Sequence, residues 1–143
     1  MKYKLIPVLC AICLLVQEAI AQIAIIPHPL KYELGKEKLI LRDQIGVVGD
    51  VVFESSLGYL RKLMLSRFGI STYTSPERDA KIIVKHDSKL ENETYRLRIN
   101  QTHIEVSASG HPGFVNALSS LDQLLAIAER KNGTFILPTV EIE

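Results

Sequence analysis

Between Tyr95 and Ala108 the chain carries two runs of strict alternation, and no other stretch constrains the fold as much. Tyr95, Leu97 and Ile99 alternate with Arg96 and Arg98; Ile104, Val106 and Ala108 alternate with Glu105 and Ser107. Side chains on a strand point to opposite faces with period two, so each run has an apolar and a polar side. Pairing Asn100 with His103 around Gln101-Thr102 sets Ile99 against Ile104, Leu97 against Val106 and Tyr95 against Ala108. All the apolar side chains then share one face, and Arg98 stands against Glu105 on the other. A slip of one residue would destroy that agreement, so the pattern specifies its own register. It predicts a sheet with one covered face and one more polar face, either solvent-exposed or docked on another domain.

Two helices are available to cover it. Phe53, Leu57, Leu60, Met64 and Phe68 recur at three- and four-residue steps, while Glu54, Arg61, Lys62 and Arg67 fall away from that stripe. Asp50 is placed to cap the start with its carboxylate, and Gly69 to end the helix in a left-handed conformation. A second helix opens at Gly110-His111-Pro112, buries Phe114, Ala117, Leu118, Leu121, Leu124, Leu125 and Ala128, and stops at Asn132-Gly133. Stripes of this kind read as core, since a helix with one apolar face must bury it, most simply on a sheet.

Further β-type runs are Ile23 to Ile26, stopped by Pro27-His28-Pro29, then Lys38 to Arg42, Ile45 to Val48, and Ala80 to Lys85. A polar loop from His86 to Glu93 precedes the hairpin. The last run, Phe135 to Ile142, holds Pro138, which favours a sheet edge or a kink. With no repeat, low-complexity stretch or linker to divide the chain, the expectation is a single α+β domain: a mainly antiparallel sheet with two helices on one face.

Residues 1–21 read as a signal peptide. Lys2 and Lys4 precede an apolar run from Leu5 to Val16, and Ala19-Ile20-Ala21 offers a cleavage site before Gln22. A spanning helix needs roughly 20 apolar residues, so this run is short for a membrane anchor; a retained N-terminal anchor is the rival reading. Cys10 and Cys13 both lie inside it, and the residues before them, Leu9 and Ile12, do not suit a lipoprotein signal. Cleavage leaves residues 22–143 without cysteine, exported to the periplasm or the exterior, and stabilised by a packed core. The net charge of +1, with both signs interspersed, gives no footprint for nucleic acid, and no membrane contact is expected after cleavage. The absence of tryptophan argues against a stand-alone sugar-binding module, whose sites stack flat rings on the sugar.

Chemistry is hard to find in these residues. His28, His86, His103 and His111 show no metal-binding spacing, so no metal or cofactor is expected. Glycosidases need two carboxyl groups in one cleft. Glu33, Asp43, Asp50, Asp79, Asp87, Glu105 and Asp122 are instead scattered over loops and polar faces, with no adjacent Asp-Glu pair in the chain. Ser55-Ser56 and Ser119-Ser120 lie on helical segments without a Gly-x-Ser-x-Gly elbow, and read as polar-face residues. No catalytic residue is assigned. Asn92-Glu93-Thr94, Asn100-Gln101-Thr102 and Asn132-Gly133-Thr134 are sequons in predicted loops or turns, although Asn also favours turns for its own reasons.

In order and spacing, these pieces resemble the N-terminal non-catalytic domain of family-20 β-N-acetylhexosaminidases. Ile25-Ile26-Pro27-His28-Pro29 is similar to that domain's apolar-Pro-x-Pro opening, and Tyr32 to Gly35 to its aromatic-to-glycine stretch. The paired strands follow. Gly113 and Ser120-Leu121-Asp122-Gln123-Leu124 resemble its second-helix motif, with Ala117 and Ser120 standing where Gly and Thr are usual. Leu137 to Ile142 resembles the run into the catalytic barrel. The resemblance implies a zincin-like shape without the metal motif. It also implies a non-catalytic accessory role beside a (β/α)8 barrel that would carry the Asp-Glu pair and is absent from this sequence. Other readings are a stand-alone exported glycan- or protein-binding domain, or the corresponding domain of an O-GlcNAc hydrolase or α-glucuronidase.

Overall fold

In the computed structural model, Pro29 and residues 31–143 are described. The expected signal peptide with Cys10 and Cys13, the run Ile23 to Ile26, and His28 lie outside these residues. Eight strands form one sheet: β1 Tyr32–Leu41, β2 Gln44–Gly49, β3 Ser71–Thr74, β4 Ile82–His86, β5 Tyr95–Ile99, β6 Ile104–Ala108, β7 Glu129–Lys131 and β8 Thr134–Ile142. Their spatial order is β1-β8-β5-β6-β4-β2-β3, with β7 also beside β8. Helices α1, Glu54–Phe68, and α2, His111–Ile127, cover one face.

The hairpin forms in the register its alternation specifies, with Tyr95, Leu97 and Ile99 opposite Ala108, Val106 and Ile104. Those from β6 and Leu97 and Ile99 from β5 are buried, and they join the α1 and α2 stripes in one core. The sheet is α+β and mixed. Antiparallel pairing joins β1 to β8, β5 to β6, β5 to β8 and β7 to β8, while β2 runs parallel to β3 and β4, and β4 to β6.

Several expectations need correction. Asp50 makes no side-chain cap at the 3-10 turn Val51–Phe53 that leads into α1; its Oδ2 accepts the His86 N–H at 2.6 Å. Holding the end of β4 satisfies that carboxylate as well as a helix amide would. Gly69 does end α1 at φ +69°, with its N–H bonding the Leu65 carbonyl and the Ile70 N–H the Met64 carbonyl. Asn132-Gly133 is not a helix stop. Helix α2 ends at Ile127, Ala128 turns extended, and Asn132 and Gly133, at φ 51° and 76°, form the turn between β7 and β8. Pro138 does not mark an edge, since β8 lies between β1 and β5.

Pro138 sits instead at a change of face. Phe135 and Leu137 point into the core, and so do Val140 and Ile142, which is impossible for an unbroken alternation. Strand β1 changes in step: its pairing shifts between Leu34, opposite Val140, and Lys38, opposite Pro138. Gly35 lies in the shift, and a β-carbon there would collide with the Thr139 hydroxyl. The glycine permits the close approach of the two strands.

Candidate docking surface

On the face away from the helices, the sheet carries a lattice of ion pairs. Lys85 Nζ lies 2.8 Å from Glu105 Oε2 and 3.4 Å from Glu77 Oε1; Arg98 Nη2 donates to Glu141 Oε1 at 2.9 Å. Arg96 Nη2 donates to Glu143 Oε1 at 2.7 Å, while its Nη1 faces Asp87 Oδ2 at 3.8 Å. Sequence pairing set Arg98 against Glu105, and the backbone does so, but the Arg98 guanidinium turns to Glu141 on β8. The hydrogen bond from Arg98, with its charge, holds the Glu141 carboxyl below its ordinary value. Hydrogen bonding to Glu105 likewise raises Lys85. These charges answer one another and leave the face self-satisfied.

The helix layer differs. Helices α1 and α2 lie side by side and parallel, tied near their starts by Ser56 Oγ and His111 Nδ1 at 2.8 Å. Further along, Arg67 Nε and Asp122 Oδ1 lie 3.0 Å apart. That second tie is coulombic, since Asp122 Oδ1 has no aligned hydrogen-bond donor. Ser56 to Arg67 is about 16 Å of helix at 1.5 Å per residue, and a groove of about 350 Å³ runs between the ties. Leu63 and Leu118 form its apolar floor, and Tyr59, Lys62 and Val115 are among its walls. Tyr59 is 65% exposed, against the His111 ring at 6.0 Å, and Val115 across the groove is 41% exposed. Large apolar side chains left in water on both sides of an apolar groove are the mark of a contact surface.

The described histidines each meet a partner within the protein. His86 Nε2 meets the Ser109 carbonyl at 3.1 Å, His103 packs with Asn100 and Thr102, and His111 meets Ser56. Among the described residues no group of three His, Cys, Asp or Glu is placed to hold a metal ion.

The carboxylates are spread as the sequence spreads them. Glu33 meets Lys31, Asp79 meets Arg78, Asp122 meets Arg67, and Asp50 holds the His86 amide, while Asp43 offers its backbone carbonyl to Ser71. Two pairs do converge, Glu77 with Glu105 on Lys85 and Asp87 with Glu143 on Arg96.

The serines correct their sequence reading. Ser56 and Ser120 are buried, not polar-face residues: Ser120 Oγ meets the Tyr95 hydroxyl at 2.6 Å, and only Ser55 and Ser119 face solvent. The sequons diverge too. Asn92 and Asn132 are exposed, but Asn100 Oδ1 accepts from the Thr102 and His103 amides at 2.8 and 2.9 Å, closing its own turn.

Comparison with known proteins gives a consistent picture. Residues 22–143 match the family model described as glycosyl hydrolase family 20, domain 2. A GH20 exo-β-N-acetylglucosaminidase from Vibrio harveyi superposes with a TM-score of 0.73 at 23% identity, over 85% of this chain and 19% of that one. A β-N-acetylhexosaminidase from Bacteroides fragilis gives 0.69 at 30% identity, over 84% of this chain and 24% of that one. An N-acetyl-β-hexosaminidase from Streptomyces plicatus gives 0.68 at 18% identity, over 85% and 26%. The chain thus spans about a fifth to a quarter of the length of these proteins. No curated protein sequence matches.

Proposed function

Because this chain belongs to the family of glycosyl hydrolase family 20, domain 2, we propose that it is the non-catalytic accessory domain of an exported β-N-acetylhexosaminidase. Its task in this reading is to support a catalytic (β/α)8 barrel, and the chain alone has no hydrolase activity. The observation that carries the reading is the match over residues 22–143. The distribution of surface chemistry supports it. The sheet face is internally neutralised, whereas the groove between α1 and α2 leaves Tyr59 and Val115 exposed around an apolar floor. The helix layer is therefore the side that seats on the barrel, and residues 1–21 are the export signal.

The test compares residues 22–143 with the same protein extended through whatever its gene encodes downstream, both assayed on a chromogenic β-N-acetylglucosaminide. Hydrolysis by the extended protein alone is the expected result. Hydrolysis by residues 22–143 would overturn the assignment, and a family without hexosaminidase activity in the extended protein would remove the parent activity.

A further inference from the structure

The turn between β7 and β8 holds a reactive pair of residues. Asn132 is exposed and left-handed, at φ 51°, and Gly133 follows it at φ 76°. Of Asn92, Asn100, Asn116 and Asn132, the asparagines of the chain, only Asn132 precedes a glycine. A β-carbon on Gly133 would meet nothing within 4 Å, so the peptide nitrogen after Asn132 is unshielded. Among the described residues nothing holds the Asn132 carboxamide. The other three differ. Asn100 Oδ1 accepts from the Thr102 and His103 amides, and Asn116 Nδ2 donates to the Glu93 carbonyl at 2.9 Å. Asn92 is followed by Glu93, whose side chain crowds the nitrogen between them.

We propose that Asn132 is a site of spontaneous deamidation, gated by opening of the β7–β8 hairpin. The Gly133 nitrogen loses its proton and bonds to Asn132 Cγ; the Cγ–Nδ2 bond breaks, ammonia leaves, and a five-membered succinimide closes. Water then opens the ring at one carbonyl to give aspartate, or at the other to give isoaspartate. The ring demands a backbone torsion unlike that of the left-handed turn, so the turn must open before the ring can close. Little resists this. Strand β7 is three exposed residues, opposite Ile136, Phe135 and Thr134. Its side-chain ties lie at the surface: Lys38 with Glu129 at 3.6 Å, and the Arg130 guanidinium 4.6 Å from the Phe135 ring centre. Such a unit opens without the core following. Isoaspartate adds a methylene to the backbone of a two-residue turn, so Lys131 and Thr134 no longer stand opposite and β7 is permanently loosened from β8.

Peptide mapping by mass spectrometry tests this on the purified full chain, aged in mildly alkaline buffer beside the same protein unfolded in urea. Conversion to aspartate and isoaspartate is expected at Asn132 and not at Asn92, Asn100 or Asn116. In the folded protein it should run about tenfold slower than in urea, the cost of a local opening. Glu129→Gln combined with Arg130→Ser removes both surface ties at exposed positions, and should narrow that gap to about threefold. An Asn132 that stays intact in the folded protein while the urea sample converts overturns the proposal, and so does conversion of Asn92 at a matching rate. Equal rates in wild type and the double variant overturn the gating by the hairpin. A glycan on Asn132 in protein from its own host overturns the assignment as well, because the amide nitrogen is then taken.

Discussion

Tyr95 and Ser120 meet hydroxyl to hydroxyl at 2.6 Å, tying β5 to α2 inside the core face of the sheet. Ser120 is fully buried, so its oxygen depends on that one contact. Tyr95→Phe should therefore cost about 1–3 kcal/mol, the penalty of an orphaned buried hydroxyl. Adding Ser120→Ala should recover part of the loss, because both polar groups are then gone. Denaturant melts of the two single variants and the double variant check this, and strict additivity would show that the contact is not coupled.

Gly113 is a packing glycine. A β-carbon there would meet the Thr94 carbonyl and the Ala108 side chain, while the Gly113 N–H donates to the Asn92 carbonyl at 3.2 Å. Gly113→Ala should lower stability by about 1–3 kcal/mol through forced displacement of α2 from the hairpin. An unchanged urea midpoint at constant m would mean that α2 does not sit this close.

The groove predicts a split between stability and docking. Tyr59→Asp and Val115→Asp replace side chains that are 65% and 41% exposed, so the isolated domain should change by less than about 0.5 kcal/mol. The extended protein should lose several degrees of melting temperature or its cooperative transition. An identical melt of wild-type and variant extended proteins would place the contact elsewhere.

Acid should weaken the sheet's polar face. Glu141 has its folded pKa depressed by Arg98, so its contribution is present above the ordinary value of 4.5 and is lost as pH falls through the folded value. Both partners are partly exposed, which keeps the effect small. Glu141→Gln should flatten the fall in stability below pH 4.5 relative to wild type; parallel curves would deny the pair this role.

What the sequence reveals follows from how local each signal is. The hairpin is legible because its alternation and its turn lie in one short stretch, and the helix stripes because period and burial agree. Ser71–Thr74 and Glu129–Lys131 carry no apolar alternation, and as strands they are set by the partners they pair with, β2 and β8. Asn132-Gly133 suits a helix stop and a hairpin turn equally, and only the early end of α2 decides between them. Asp50 likewise had a choice of amides. The groove is a property of two helices at once: Tyr59 and Val115 lie off their stripes, and nothing in either segment alone says that they flank one cavity.

The pairing of β1 with β8 has a consequence for how the chain reaches this structure. Tyr32 lies opposite Ile142 and Leu41 opposite Phe135, so the outer strand finds its partner only in the last part of the sequence. Closing so long a loop is slow relative to forming the hairpin or either helix. During synthesis, Leu39 and Leu41, both fully buried at the end, must wait uncovered while nearly everything between them and Phe135 is made. The hairpin and helices can assemble first, and β1 then docks as a late step, which leaves β1 open to misassociation before folding is complete.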